Sequence, residues 1–319
     1  MADAGGSSDM YVIALGGNAI LRRGDDGTIT TQFARADASM RHVAVLAAAG
    51  DRLVLTHGNG PVVGNIVLRN EAARDTVPPM PLYIAGADSE GGIGLMLQMS
   101  LHNRLRTAGV DRAVLSVITQ CVVDAGDPAF AAPSKPIGPY FDAFGAARLT
   151  AEEGWVFAEE GDRGWRRIVA SPQPLRIVEA PTIRRLAEEG DIVIAAGGGG
   201  VPVLEGEDGT LQGVDAVIDK DRASALLARE IDASVLVILM EEPHVFVAYG
   251  TPRQRSLERL TVDEADALIA SGELAKGSIR PKVEACADFA RTCGREAIIC
   301  AVDSLEDALA GRAGTRIVP

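Results

Sequence analysis

Short apolar runs alternate with longer amphipathic stretches along most of the chain. Runs at 11–15, 52–56, 113–118, 191–196, 235–239 and Ala297–Ala301 are rich in Val, Ile, Leu and Ala and predict strands. Residues 36–49, 92–108, 182–189, 222–231, Val262–Ser271 and 281–293 carry apolar positions three and four apart and predict helices. Near-continuous apolar strands separated by helices imply an α/β fold whose mostly parallel sheet is covered on both faces.

Residues 124–174 break this rhythm. They hold Pro128, Pro133, Pro136, Pro139, Pro172 and Pro174 and show no clear period. A plain linker would lack Trp155, Phe157, Trp165 and the run 166–170, so the segment predicts an ordered excursion, a small hairpin-bearing lid.

Composition narrows the function. With 319 residues, 47% of them hydrophobic, the chain can bury one large α/β domain or two intimate lobes. Aromatic residues make up only 4%, too few for a base-stacking platform, and the formal charge of −13 argues against nucleic acid and anionic membranes as partners. Cys121, Cys286, Cys293 and Cys300 lack C-x-x-C spacing and read as reduced, packed thiols of a cytosolic protein. His42, His57, His102 and His244 form no ligand-spaced set, so no protein-built metal site is expected. Residues 1–9 are small, polar and acidic, with no apolar core behind a basic start, and read as a disordered tail. No apolar run approaches the ~20 residues of a membrane span, and a cytoplasmic location is expected.

Ligands of open α/β sheets bind beyond the carboxyl ends of strands. Three such ends carry glycine clusters: Gly16-Gly17-Asn18-Ala19, His57-Gly58-Asn59-Gly60-Pro61 and Gly197-Gly198-Gly199-Gly200. Glycine lets backbone N–H groups approach an anion, and three clusters after separate strands predict phosphate or carboxylate binding. None fits the P-loop pattern, and Val63 stands where a dinucleotide fingerprint needs its third glycine.

Of 31 basic residues only Lys135, Lys220, Lys276 and Lys282 are lysines. Surface charge is thus carried by arginine, and each lysine invites a question. Lys135 lies in the proposed lid, Lys220 just before a helix, and Lys282 behind Ser278, which can cap a helix, and Pro281, which fits its first turn. A compact ammonium on a flexible stem suits a phosphoryl group in flight. Lys276 has no such setting and reads as surface charge. Asp219 and Asp221 flank Lys220; they can hold the lysines in register or help hold Mg²⁺ through water, and Asp221 also suits the N-cap of a helix starting near Arg222.

These segments, together with Asp127-Pro128-Ala129-Phe130, Ser134-Lys135-Pro136-Ile137-Gly138, Val217-Ile218-Asp219-Lys220-Asp221 and Pro281-Lys282-Val283-Glu284-Ala285, resemble the carbamate kinases, a branch of the amino acid kinases. They occur in that family's order over nearly the whole chain. Asn18 stands where most relatives outside the branch carry lysine, and Lys-Pro-Ile-Gly is characteristic of the branch.

The resemblance implies a three-layer αβα sandwich with a protruding lid, a single domain over 1–319. Its N-terminal lobe, about 10–212, would face carbamoyl phosphate and include the subdomain at about 124–174. Its C-terminal lobe, about 213–319, would face the nucleotide. It implies a homodimer that interconverts ADP plus carbamoyl phosphate with ATP plus carbamate, with Mg²⁺. By motif, Gly16, Gly17, Asn18, Gly58, Asn59, Gly60, Gly198 and Gly199 would line the phosphoryl and carbamate site. Lys135, Lys220 and Lys282 would stabilise the moving phosphoryl group, oriented by Asp219 or Asp221. Phe246 and Tyr249 would either shape the adenine pocket or serve as plain core packing, with Ser278 beside the nucleotide. No nucleophile or strong base is needed, because a carbamate oxygen is already an anion.

The chain departs from the family pattern at four places. Val62 and Glu90 stand where glutamine is usual, Met240-Glu241-Glu242-Pro243 replaces a Thr-Asp-Val-Asp-like segment near the nucleotide, and Arg280 replaces a small residue. Two rival functions follow: another acylphosphate-forming kinase with a different small acid, and a nucleotide- or metabolite-sensing protein without catalysis.

Overall fold

The computed structural model describes residues 9–22, 24–274 and 279–319. Among these, eight strands form the central sheet, in the order Arg259–Thr261, Thr315–Val318, Ala297–Ala301, Val235–Met240, Met10–Leu15, Arg52–His57, Ile192–Ile194 and Val114–Ser116. Every pairing is parallel except that of Ala297–Ala301 with Thr315–Val318. Parallel neighbours need crossover connections, which the helices supply.

Alternation along the strands divides the core in two. Val12, Ala14, Leu236 and Ile238 pack under the helices Ala180–Glu188, Lys220–Glu230 and Ile279–Cys293. Ile13, Leu15, Val237 and Leu239 pack under Ile29–Ala49 and Leu82–Thr107. The expected three-layer sandwich is the architecture found.

The excursion is ordered as expected. Lys135–Phe141, Trp165–Val169 and Val156–Glu159 form an antiparallel sheet, in that order, and the helix Ala143–Glu153 connects Lys135–Phe141 to Val156–Glu159. The Arg167 guanidinium lies 3.8 Å from the Trp155 ring centroid, and Phe141 meets Phe157 edge to face at 5.5 Å.

Two helices differ from expectation. Leu82–Thr107 begins ten residues before the predicted 92, because Gly86, Gly91, Gly92 and Gly94 dilute its periodicity. The cost of Gly94 is offset by close packing, since a side chain there would overlap Ser116. Gly60–Ala73 was not predicted at all, as its glycine-rich start reads as loop. Its Gly64 lets the lid dock: a Cβ there would stand 2.6 Å from the Gly138 Cα. Residues 1–8 of the tail expected at 1–9, and the assignments made to Ser278 and Lys276, lie outside the described residues. No helix among the described residues is long and apolar enough to cross a membrane.

Candidate active site

Three glycine-bearing strand ends converge. Leu15 and His57 are register partners, so the turns that follow them are neighbours. The Gly58 N–H donates to the Leu15 carbonyl at 2.9 Å, and a Cβ on Gly58 would stand 3.1 Å from the Gly17 nitrogen. Gly197 faces the His57 ring, where a Cβ would sit 2.5 Å from Nε2. Gly198, at φ +65°, leaves its side-chain space to the Asn59 amide, which donates to Ser89 Oγ at 2.8 Å. Gly60 is different: it has open space around it and starts the helix Gly60–Ala73.

His57 is fully buried and its Nδ1 lies 3.2 Å from the Gly58 carbonyl, which fixes Nδ1–H as the donor of the neutral ring. Burial pushes its pKa down to about 4, with the Lys220 charge adding in the same sense. Between pH 4 and 6.5 the unfolded chain then binds a proton that the folded chain refuses. Stability contributed at this position is therefore complete above about pH 6.5 and lost as pH falls towards 4. The difference in unfolding free energy between the unmodified chain and His57→Gln, measured by urea titration, should rise with pH over that window and stay flat above it. A difference independent of pH would contradict the assignment.

The lysines meet at the start of the helix Lys220–Glu230. Asp219, not Asp221, is its N-cap: Asp219 Oδ1 accepts from the Asp221 and Arg222 N–H groups at 3.0 and 3.3 Å. Its other oxygen pairs with Lys135 Nζ at 3.3 Å, and the same ammonium donates to the Ile218 carbonyl at 3.0 Å. The lid thus reaches the body through Lys135. Asp221 is the second residue of the helix, 3% exposed, between two ammonium groups: Oδ1 is 2.9 Å from Lys220 and Oδ2 is 3.1 Å from Lys282. The cap expected at Asp221 is corrected accordingly, since a side chain clamped by two lysines cannot also fold back on the helix end.

Burial lowers the Lys220 pKa, with Asp221 opposing and Lys282 reinforcing. For Asp221 burial acts upwards, but the two ammonium groups outweigh it and hold the carboxyl below its ordinary value. The helix N-terminus favours the same anion. The result is a group of three ammonium ions kept in place by two carboxylates.

Beside this group lies a cleft of ≈ 740 Å³ beyond the ends of Met10–Leu15, Val235–Met240 and Ala297–Ala301. Gly16, Gly17, Asn18, Lys220 and Lys282 line it, and so do Phe246 and Tyr249. Phe246 and Tyr249 rings are 5.9 Å apart, and Tyr249 donates to Glu242 at 2.6 Å. Glu242, His244 and Asp303 also line the cleft without having been singled out individually. Their signal was position: each follows the carboxyl end of a strand, without glycine to mark it. The two halves of the site join at Ile218, whose carbonyl would lie 2.7 Å from a Cβ on Gly199 and already accepts from Lys135.

A nucleotide-sized cleft next to clustered ammonium groups and glycine turns defines a phosphotransferase site. The chain belongs to the amino acid kinase family, whose model matches residues 9–301. Its relatives there include the carbamate kinase of Pyrococcus horikoshii, 45% identical over 98% of this chain and 99% of the relative. That of Thermococcus kodakarensis is also 45% identical, over 96% and 98%. Carbamate kinase from Giardia lamblia bound to AMP-PNP has the same fold, with a TM-score of 0.92 and 38% identity over 98% of this chain and 99% of that one.

Proposed function

We propose that the protein is a carbamate kinase, catalysing ADP + carbamoyl phosphate ⇌ ATP + carbamate. The observation that carries this reading is the cluster of Lys135, Lys220 and Lys282 on Asp219 and Asp221, set between the glycine turns and the cleft. Phosphoryl transfer asks the protein to align two oxygens and neutralise spread charge, and preorganised ammonium groups do both. The N-terminal lobe, about 10–212, presents Gly16, Gly17, Asn18, Gly58, Asn59, Gly198 and Gly199 to carbamoyl phosphate. The C-terminal lobe, about 213–319, holds ADP against Phe246 and Tyr249.

Magnesium enters with the nucleotide. Both oxygens of Asp219 and of Asp221 already face N–H groups or lysines, and among the described residues no group of three His, Cys, Asp or Glu could hold a metal ion. The ion would therefore ride on the phosphates and share their charge with the lysines. A cytoplasmic homodimer completes the reading; the exposed Leu95 and Met99, one turn apart on Leu82–Thr107, offer an apolar face for the second copy.

The test is a coupled assay of ATP formation from carbamoyl phosphate, ADP and Mg²⁺. Turnover of glutamate or acetylglutamate with ATP, and none of carbamate, would favour another acylphosphate-forming kinase. Retained ADP binding without turnover would favour a sensing protein. Within this reading Gly198→Ala should lower kcat/KM for carbamoyl phosphate about tenfold, because the methyl group displaces Asn59. Unchanged kcat/KM would remove Asn59 from the acceptor site.

A further inference from the structure

Glu90 lies on the helix Leu82–Thr107 and is 2% exposed. Its Oε2 accepts from the Thr119 N–H at 2.8 Å, while Oε1 has no partner among the described residues. Thr119 is itself fully buried and braces the third glycine turn at both ends. Its hydroxyl accepts from the Ala196 N–H at 2.8 Å and donates to the Val117 carbonyl at 2.8 Å, and its carbonyl accepts from the Val201 N–H at 2.8 Å.

That turn needs bracing. Ala196, Gly198, Gly199 and Gly200 all have positive φ, and Ala196 at +48° is strained there by its Cβ. Its internal hydrogen bonds are two, from Gly199 to Ala196 and from Gly200 to Gly197, both at 3.1 Å. Glu90 also touches the turn directly, since a Cβ on Gly197 would stand 2.9 Å from Glu90 Cγ and 2.5 Å from the His57 ring.

We propose that Glu90 is a positioning residue for the phosphoryl-acceptor side: through Thr119 it fixes the turn 196–201 against His57 and Asn59. The assignment rests on the carbamate kinase reading for its kinetic signature, though not for its structural one. A buried carboxylate oxygen without a partner is costly, so Glu90 performs this role as the neutral acid. Burial raises its pKa well above the ordinary value, the Thr119 N–H opposes, and Glu179 adds to the rise. The groups that face it agree. His57 is neutral, the Cys121 thiol is pushed beyond its usual range by burial, and Glu179 is turned to the Gln120 backbone and side-chain N–H groups at 2.7 and 2.9 Å. None of the ion pairs among the described residues includes Glu90.

The test compares Glu90→Gln, which copies the neutral acid, with Glu90→Leu, which loses the acceptor of Thr119. Steady-state kinetics should show Glu90→Leu raising KM for carbamoyl phosphate about tenfold with KM for ADP unchanged, and Glu90→Gln staying within about threefold of the unmodified chain. The unmodified chain should lose activity on the alkaline side as Glu90 ionises, and Glu90→Gln should lack that limb. Thr119→Val, which removes the hydroxyl brace, should reproduce the Leu variant's KM split and stands in if Glu90→Leu does not fold. Equal rises in both KM values, no rise at all, or the alkaline limb surviving in Glu90→Gln would overturn the proposal. If the unmodified chain does not turn over carbamoyl phosphate, the functional reading falls, and hydrogen exchange still decides the bracing. Amides of 196–201 should exchange about tenfold faster in Glu90→Leu than in Glu90→Gln, and equal rates would overturn it.

Discussion

Lys220→Ala should turn over ADP and carbamoyl phosphate at least about 10²-fold more slowly than the unmodified chain, the loss expected for one preorganised charge stabiliser. The variant is informative because the surrounding structure can survive it. Asp221 keeps its second partner, Lys282, at 3.1 Å, so no buried carboxylate is left bare. Lys135 and Asp219 pair with each other and do not depend on Lys220. The fall should therefore appear in kcat while ADP binding, followed by calorimetry, changes little. Lys220→Arg should not rescue it, since a planar guanidinium needs room that a residue wedged against Asp221 does not have. Near-normal turnover in a folded Lys220→Ala would remove the lysine from the chemistry.

The site was legible where scarcity or repetition marked it. Four lysines in an arginine-rich chain drew attention to Lys135, Lys220 and Lys282, and the structure brings all three onto two carboxylates. Three glycine runs after apolar strands pointed to anion binding, and the structure sets the three turns side by side. What escaped was decided by geometry that spacing does not encode. Asp219 and Asp221 are two residues apart, and only the backbone at the helix start settles that the first caps and the second is buried. Glu90 differed in sequence only by its charge. Its weight comes from burial beside Gly197 and from Thr119, 29 positions away. The fold shows the same division. The six apolar runs were found, whereas Arg259–Thr261 and Thr315–Val318 interleave arginine and threonine with their apolar residues and sit in no continuous apolar run. Glycines within Gly60–Ala73 and Leu82–Thr107 read as breakers, although close packing against Gly138 and Ser116 is what places Gly64 and Gly94 there.

Asp221→Asn should damage both stability and turnover more than any lysine variant. The carboxylate stands between the two buried ammonium ions, 2.9 Å from Lys220 and 3.1 Å from Lys282, and removing its charge takes away what offsets their mutual repulsion at low exposure. Breaking a buried pair in this way costs about 3–5 kcal/mol, and here the amide keeps the volume, so the loss is electrostatic. The sign of the pH response follows. Burial and Lys282 already depress the Lys220 pKa in the unmodified chain, and without Asp221 nothing of comparable size opposes them. Between that lowered pKa and the ordinary lysine value the unfolded chain binds the extra proton, so the variant's unfolding free energy should climb as pH rises through this window. Turnover should move the opposite way, recovering as pH falls and Lys220 regains its charge. Urea unfolding and kcat measured across the same pH series check both slopes. Parallel slopes, or a variant as stable as the unmodified chain, would show that Asp221 is not what holds the lysines together.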